Sequence, residues 1–285
     1  MLKWRRRIAD VLRNDALFTH ASPRPPLPDG PVTDDLFAQP QCRNCGTAMT
    51  TAFCGGCGQK AAQRFVWRDI RKESWDRLRL FELQSVRTLG RLIVSPGTVA
   101  RDYVLGRRAV HMHPLKLLVA TVAVLVVVLA ANKYFELGPG GSGDAVVKRM
   151  AKQVLAYSNW SFSLGIAAIF SAAWLMFRRR LGYNAIEIAV LAIYTQAIIL
   201  ALIIVNLLPT LIWRDPAFVA AHRSASQHYI PVIKTLVVAV AYRQFFLLKW
   251  QEDWPKLLLA CIMFGAINWA LLRIYAFAIL WLVSR

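Results

Sequence analysis

From Leu115 onward, apolar residues crowd into five long runs with short polar connections between them. The runs cover about 115–134, 160–177, 186–208, 231–248 and 257–283. The first, LKLLVATVAVLVVVLAANKY, contains no acid and carries lysine only near its ends, at Lys116 and Lys133. A helix rises about 1.5 Å per residue, so twenty residues span roughly 30 Å, the thickness of a bilayer's hydrocarbon core. The pattern predicts an all-α membrane protein, with residues 115–285 forming a domain of about five transmembrane helices. Between the first two spans, 138–143 (GPGGSG) reads as a turn. Residues 145–157 read as an amphipathic helix with Val147, Met150, Val154 and Tyr157 on one side.

Ahead of the first span the pattern is different. Residues 1–20 read as a basic amphipathic segment, in which Trp4, Ile8, Val11 and Leu12 share a helical face. Residues 21–41 read as a semi-extended linker, because Pro23, Pro25, Pro26, Pro28, Pro31 and Pro40 oppose helix and central strand. Residues 63–114 read as basic juxtamembrane amphipathic helices lying along anionic headgroups. Trp67, Ile70, Trp75 and Leu78 would face the lipid, and Arg71, Lys72, Arg77 and Arg79 its charge. Pro96-Gly97 reads as a break there, followed by a short helix through Tyr103 to Gly106.

Charge orients this picture. The formal net charge is +19, and residues 1–116 hold 20 Lys/Arg against 10 Asp/Glu. The triplet Arg178, Arg179 and Arg180, with Lys249 and Lys256, marks two short loops as cytoplasmic. This predicts a cytosolic N-terminus and an outward C-terminus. The segment after MLKWRRR is too polar for a signal-peptide core, so the first span is expected to serve as the insertion signal.

The most specific chemistry lies between the linker and the basic helices. Cys42-Arg43-Asn44-Cys45-Gly46 and Cys54-Gly55-Gly56-Cys57-Gly58 are two Cys-x-x-Cys-Gly knuckles. Each tight turn aims two thiolates at one ion, and the glycine permits the positive φ that the turn needs. Together Cys42, Cys45, Cys54 and Cys57 predict one structural Zn2+ in a ribbon over residues 42–62. Four protein sulfurs leave no open position for catalysis. Disulfides and a thioredoxin-type pair are the competing readings. A cytosolic location opposes the first, and the lack of a βαβ pattern opposes the second. Cys261 stands alone in the last run and reads as a small core residue. Arg43, Lys60 and Arg64 could meet nucleic acid, but no aromatic–basic interleaving marks a base-stacking face. His111 and His113 lie two apart and would not share a helical face.

The run CRNCG…FCGGCGQK, then RTLGRLIVSPGTVARDYVLGRR and HPLKLL, resembles an uncharacterised family of bacterial multi-pass membrane proteins with an N-terminal four-cysteine ribbon, domain of unknown function 3667. LGYNAIEIAVLAIYTQA and YRQFFLLKWQEDW resemble that family's membrane half. The resemblance covers about residues 42–255. It implies a four-cysteine zinc site and a bacterial inner-membrane location, and it implies no activity. Ile188 stands where relatives often carry histidine after the glutamate, so no Glu-His function is carried over.

Within the spans, Glu187, Arg243, Asn268 and Arg273 are the candidate polar site, since an intramembrane charge is costly to keep. Glu187 and Arg243 would both lie near the cytoplasmic ends of their helices and could pair. No paired carboxylates, Ser/Lys dyad or His cluster occurs at membrane depth, so an enzyme is not expected. Two functions remain. One is a non-enzymatic adaptor whose ribbon binds a cytosolic protein while the basic helices hold anionic lipid, with homo-oligomerisation compatible. The other is a small-solute or lipid transporter that uses the intramembrane residues.

Overall fold

The computed structural model describes residues 25–65, 90–132 and 161–283. Seven named helices occur among these residues: α1 (Asp35–Ala38), α2 (Pro96–Val104), α3 (Pro114–Ala131), α4 (Ser161–Phe177), α5 (Ala185–Ile212), α6 (Pro216–Phe245) and α7 (Trp250–Val283). The only extended pairings described are two isolated bridges in the cysteine segment. The amphipathic readings of 1–20 and 145–157 lie outside the described residues, as do the 138–143 turn and the basic stretch 66–89.

Three helices are long and apolar enough to cross a membrane: α3, α5, and α7 from Trp250 to Ile279. This is fewer than the five expected spans. Helix α4 is apolar but has 17 residues. Helix α6 has 30 residues, but its first half carries His222, Arg223, Ser226 and His228. The expected fourth span is thus the second half of a longer helix. Pro231 was expected to open it and instead lies inside α6. A proline removes one helical hydrogen bond and strains the turn before it, and here the helix continues through it. Pro209 likewise sits inside α5, which runs on to Ile212. Proline does start helices at Pro96, Pro114 and Pro216, each in the first turn where its missing N–H is no loss.

The core is built where small residues let helices approach. Ala168, Ala172 and Ala173 of α4, Ala192 and Ala197 of α5, Ala241 of α6 and Ala260 of α7 are fully buried. Large side chains fill the space between them, chiefly Tyr194, Tyr242, Phe177, Phe245 and Phe246. Helix α3 packs on α5, and α4 packs on α5 and α7. Cys261 is buried in this core, as its sequence context implied.

Helix α2 is packed into the bundle along most of its length. Seven of its nine residues are buried, and it packs against α5 and α6. Gly97 is what permits this. A Cβ there would collide with the Ala241 carbonyl and stand 2.7 Å from Gln244 Cβ. The Gln244 side chain then caps α2, its Oε1 accepting from the N–H groups of Gly97 at 3.0 Å and Thr98 at 3.4 Å. The linker also differs from a free tether. Pro31 and Pro40 bracket a proline-free stretch in which α1 forms. Val32 is buried, and its N–H donates to the Leu181 carbonyl at 2.9 Å. Arg101 and Arg107 donate to the carbonyls of Pro28 and Pro25, strapping the linker onto the α2 end of the bundle.

At the same end, Arg180 ties two corners together. Its guanidinium meets Asp253 through two bonds, 3.0 and 2.9 Å, and donates to the carbonyls of Phe246 and Leu247. Leu181 and Leu247, the turn residues at these corners, have φ of 57° and 49°, a left-handed conformation that costs a branched side chain energy. At the opposite end, polar contacts join α5 to α6. Asn206 donates to Ser226 at 3.2 Å, His222 meets the Asn206 carbonyl at 2.8 Å, and Tyr229 bonds the Asn206 side chain.

Candidate metal centre

The cysteine segment consists of one unit used twice at a spacing of twelve residues. In the first unit the Cys42 N–H donates to the Thr47 carbonyl, and the Gly46 N–H to the Cys42 carbonyl. In the second, Cys54 donates to Gln59 and Gly58 to Cys54, with matching lengths of 2.8 to 2.9 Å. Gly46 and Gly58 have φ of 77° and 69°, the left-handed values a Cβ would oppose. The bridges Gln41 to Ala48 and Phe53 to Lys60 close each unit.

The four sulfurs of Cys42, Cys45, Cys54 and Cys57 all lie within 4.8 Å of one another. The Cys42–Cys57 and Cys45–Cys54 separations are 3.6 and 3.5 Å. A tetrahedral ion with bonds of about 2.3 Å to sulfur sets its ligands about 3.8 Å apart, so the cage has the size of a four-thiolate metal site. All five described cysteines are free thiols, so no disulfide competes. Burial pushes the Cys42 thiol well above its ordinary value, against the lowering effect of the Cys45 and Asn44 backbone groups. Four thiolates in this space therefore call for a cation, and the residues present fit one.

The ribbon has almost no core of its own, and it rests on the bundle. Gln59 is 8% exposed. Its Nε2 donates to the Gly106 carbonyl at 2.7 Å, and its Oε1 accepts from the N–H groups of Arg108 and Ala109 at 3.0 and 2.9 Å. Gly106, at φ 102°, lies so close that a Cβ there would stand 2.6 Å from Ala62 Cβ and 3.3 Å from Arg43 Cβ. Arg108 lies 3.9 Å above the Phe65 ring and donates to the Gln63 carbonyl. Just beyond the ribbon, Arg64 reaches Asp34 at 3.1 Å, the Gly182 carbonyl at 2.6 Å and Glu187 at 3.2 Å.

That last contact corrects the expected partner of Glu187. The carboxylate is fully buried, but Arg64 binds it rather than Arg243. It also closes a capping box at the start of α5: Glu187 N–H donates to Asn184 Oδ1 at 2.9 Å, and Asn184 N–H to Glu187 Oε2 at 2.8 Å. The signature Asn-x-x-Glu was present in the sequence and predicts such a box. Arg243 instead lies over the Trp250 ring at 5.5 Å. Arg273 is exposed on α7, 5.4 Å from the Trp269 ring, and Asn268 is half-buried. The structure brings the four cysteines together. It does not bring Glu187, Arg243, Asn268 and Arg273 into one site.

Of the three cations weighed for nucleic acid, Arg43 is engaged by the Leu36 carbonyl and Arg64 by its three acceptors, while Lys60 is exposed. His111 sits against Asp102 at 3.3 Å, which also holds Arg107 at 3.3 Å. His113 caps α3, its Nδ1 accepting from Leu115 at 3.3 Å.

Residues 86–126 match the model of a family described as "Protein of unknown function (DUF3667)". The DUF3667 match includes α2, the loop that receives Gln59, and most of α3, while the four cysteines lie outside it. The ribbon thus rests on the part of the chain that the DUF3667 family defines. No curated protein and no solved structure matches the chain.

Proposed function

We propose that this chain is a non-enzymatic adaptor of the bacterial inner membrane, whose zinc ribbon presents a binding face to a cytosolic protein. The observation that carries this is the two-sidedness of the ribbon. One side is occupied by the bundle through Gln59, Ala62 and Phe65. The other leaves Ala48, Ala52 and Phe53 exposed, and Phe53 is 54% exposed. An aromatic held out on a metal-braced turn is a contact group that needs no further ordering to bind. Zinc is the metal of choice here, since four thiolates in a tetrahedral cage favour it and leave it closed to substrate. In this reading the ribbon, Lys249 and Lys256 lie in the cytosol, α7 ends outside, and the basic segment before α2 holds anionic lipid.

The transport reading draws little from the geometry, because Glu187, Arg243 and Arg273 meet separate partners and the four residues do not converge on one site. The adaptor reading is tested with a photo-crosslinking residue in place of Phe53, used in intact cells. A discrete protein adduct that vanishes in Cys54→Ser supports it. Crosslinks to lipid alone, or an adduct unchanged by Cys54→Ser, would refute it. Native mass spectrometry of the extracted protein should show one zinc per chain.

A further inference from the structure

The contacts of the ribbon point to a role beyond presenting a surface. We propose that the metal-bound ribbon is a latch on the membrane bundle, and that metal occupancy is read out at the α2–α3 loop and at the start of α5. The inference rests on the metal site, and it stands whether or not Phe53 meets a partner.

Two residues carry the coupling. Gln59 belongs to the second knuckle itself, because its carbonyl accepts the Cys54 N–H at 2.8 Å. Its side chain makes three bonds to the backbone of Gly106, Arg108 and Ala109. One residue is therefore part of both the metal turn and the bundle's loop. Arg64 follows seven positions after Cys57 and joins the linker, the α4–α5 corner and the α5 cap through Asp34, Gly182 and Glu187.

The ribbon cannot hold these positions unaided. Among residues 41–60 only Cys42, Asn44, Cys54 and Gln59 are buried, and the segment has two isolated bridges for secondary structure. A segment with so little to bury depends on its ion for folding. The bundle does not depend on the ribbon in the same way. Its core runs through α2 to α7 and takes in Val32 and Phe65 from the segments flanking the ribbon, but among the cysteines only Cys261 belongs to it. Loss of metal should therefore free Gln59 and Arg64 while the helices stay packed. The Arg108 and Ala109 amides would open to water, and the buried Glu187 carboxylate would lose its cation. Linkage makes the coupling reciprocal: if metal strengthens the Gln59 contact, that contact must strengthen metal binding by the same factor.

The test is hydrogen exchange with mass spectrometry on the full chain in nanodiscs, metal-loaded and after chelation. Chelation should speed exchange at 106–110 and 184–188 by about tenfold or more, within the usual range for coupled sites, with α6 unchanged. Gln59→Ala, which keeps all four cysteines, should open 106–110 with zinc still bound. It should also weaken zinc about tenfold in competition with a chromophoric chelator. If chelation exposes the ribbon amides but leaves 106–110 protected, the latch does not exist. Exchange in α6 that rises together with 106–110 would mean general unfolding and would also overturn it. So would Gln59→Ala with unchanged exchange and unchanged zinc affinity. Loss of the Phe53 adduct without these results would bear on the adaptor alone.

Discussion

Replacing Arg180 with alanine removes four hydrogen bonds at once and leaves Asp253, whose side chain is 8% exposed, without its main cation. Breaking one side of a buried ion pair costs about 3–5 kcal/mol. That figure needs a discount, because the Arg180 side chain is 31% exposed and its charge is partly screened. Asp253 also keeps the Lys249 N–H at 3.1 Å and Lys256 at 3.9 Å. The expected loss is about 2–3 kcal/mol, equivalent to a Tm fall of roughly 4–10 °C for a chain of this size. Arg180→Lys keeps a charge but loses the two-pronged fork, so it should fall between wild type and alanine. Unfolding would be followed in mixed micelles for both variants, for Asp253→Asn and for the double replacement. The argument requires a coupling energy of about 1–3 kcal/mol between the two positions. A coupling near zero, or a Tm change under about 1 °C for Arg180→Ala, would show that this pair does not hold the corners.

Gly97→Ala should be among the most damaging small changes in the bundle, because its methyl would meet the Ala241 carbonyl; a lower folded yield, with Gly90→Ala nearly silent, is the expected pattern. Burial, helped by Lys116 and Arg108, pushes His113 down from 6.5 to about 4. The unfolded chain thus takes the proton first. Stability should be full above pH 6.5 and fall by up to roughly 3 kcal/mol as pH drops to about 4. Chemical unfolding against pH checks this, and His113→Asn, which keeps a cap acceptor that does not titrate, should flatten the profile. Gly58→Ala should weaken metal binding several-fold while sparing the bundle, since the turn at φ 69° resists a Cβ though the space around it is open; metal titration reads it directly.

The ribbon was legible because its chemistry is local. Two Cys-x-x-Cys-Gly units state which atoms meet, and no distant residue is needed to place them. The apolar runs of α3, α5 and α7 were legible for the same reason. Proline misled where it was treated only as a boundary. Pro231 and Pro209 lie inside helices that continue past them, and no pattern in the run itself reports that continuation. The burial of α2 was hidden by its composition, since Arg101, Asp102 and Tyr103 suit a headgroup region. The partners of Arg101 and Tyr103, Pro28 and Tyr194, come from far along the chain. Gln59 was missed because an amide after a knuckle looks like any polar surface residue. Asn184-x-x-Glu187 carries the signature of a cap, but a charge at the head of an apolar run equally fits a buried functional group, and only the fold separates the two.

The contacts at the far end of α5 and α6 matter for the bilayer itself. Helices of 28 and 30 residues are about 42 and 45 Å long, against a hydrocarbon core of about 30 Å. Of the two, α5 is the one apolar enough to cross; standing upright, it would carry its end some ~12 Å past the acyl chains, where Asn206 and the α6 groups it binds can remain hydrated. A thicker bilayer would draw that polar clasp toward hydrocarbon, and a thinner one would leave it in water and favour tilt. Acyl-chain length would thus act as a mechanical load on α5, applied at the end opposite to the four cysteines.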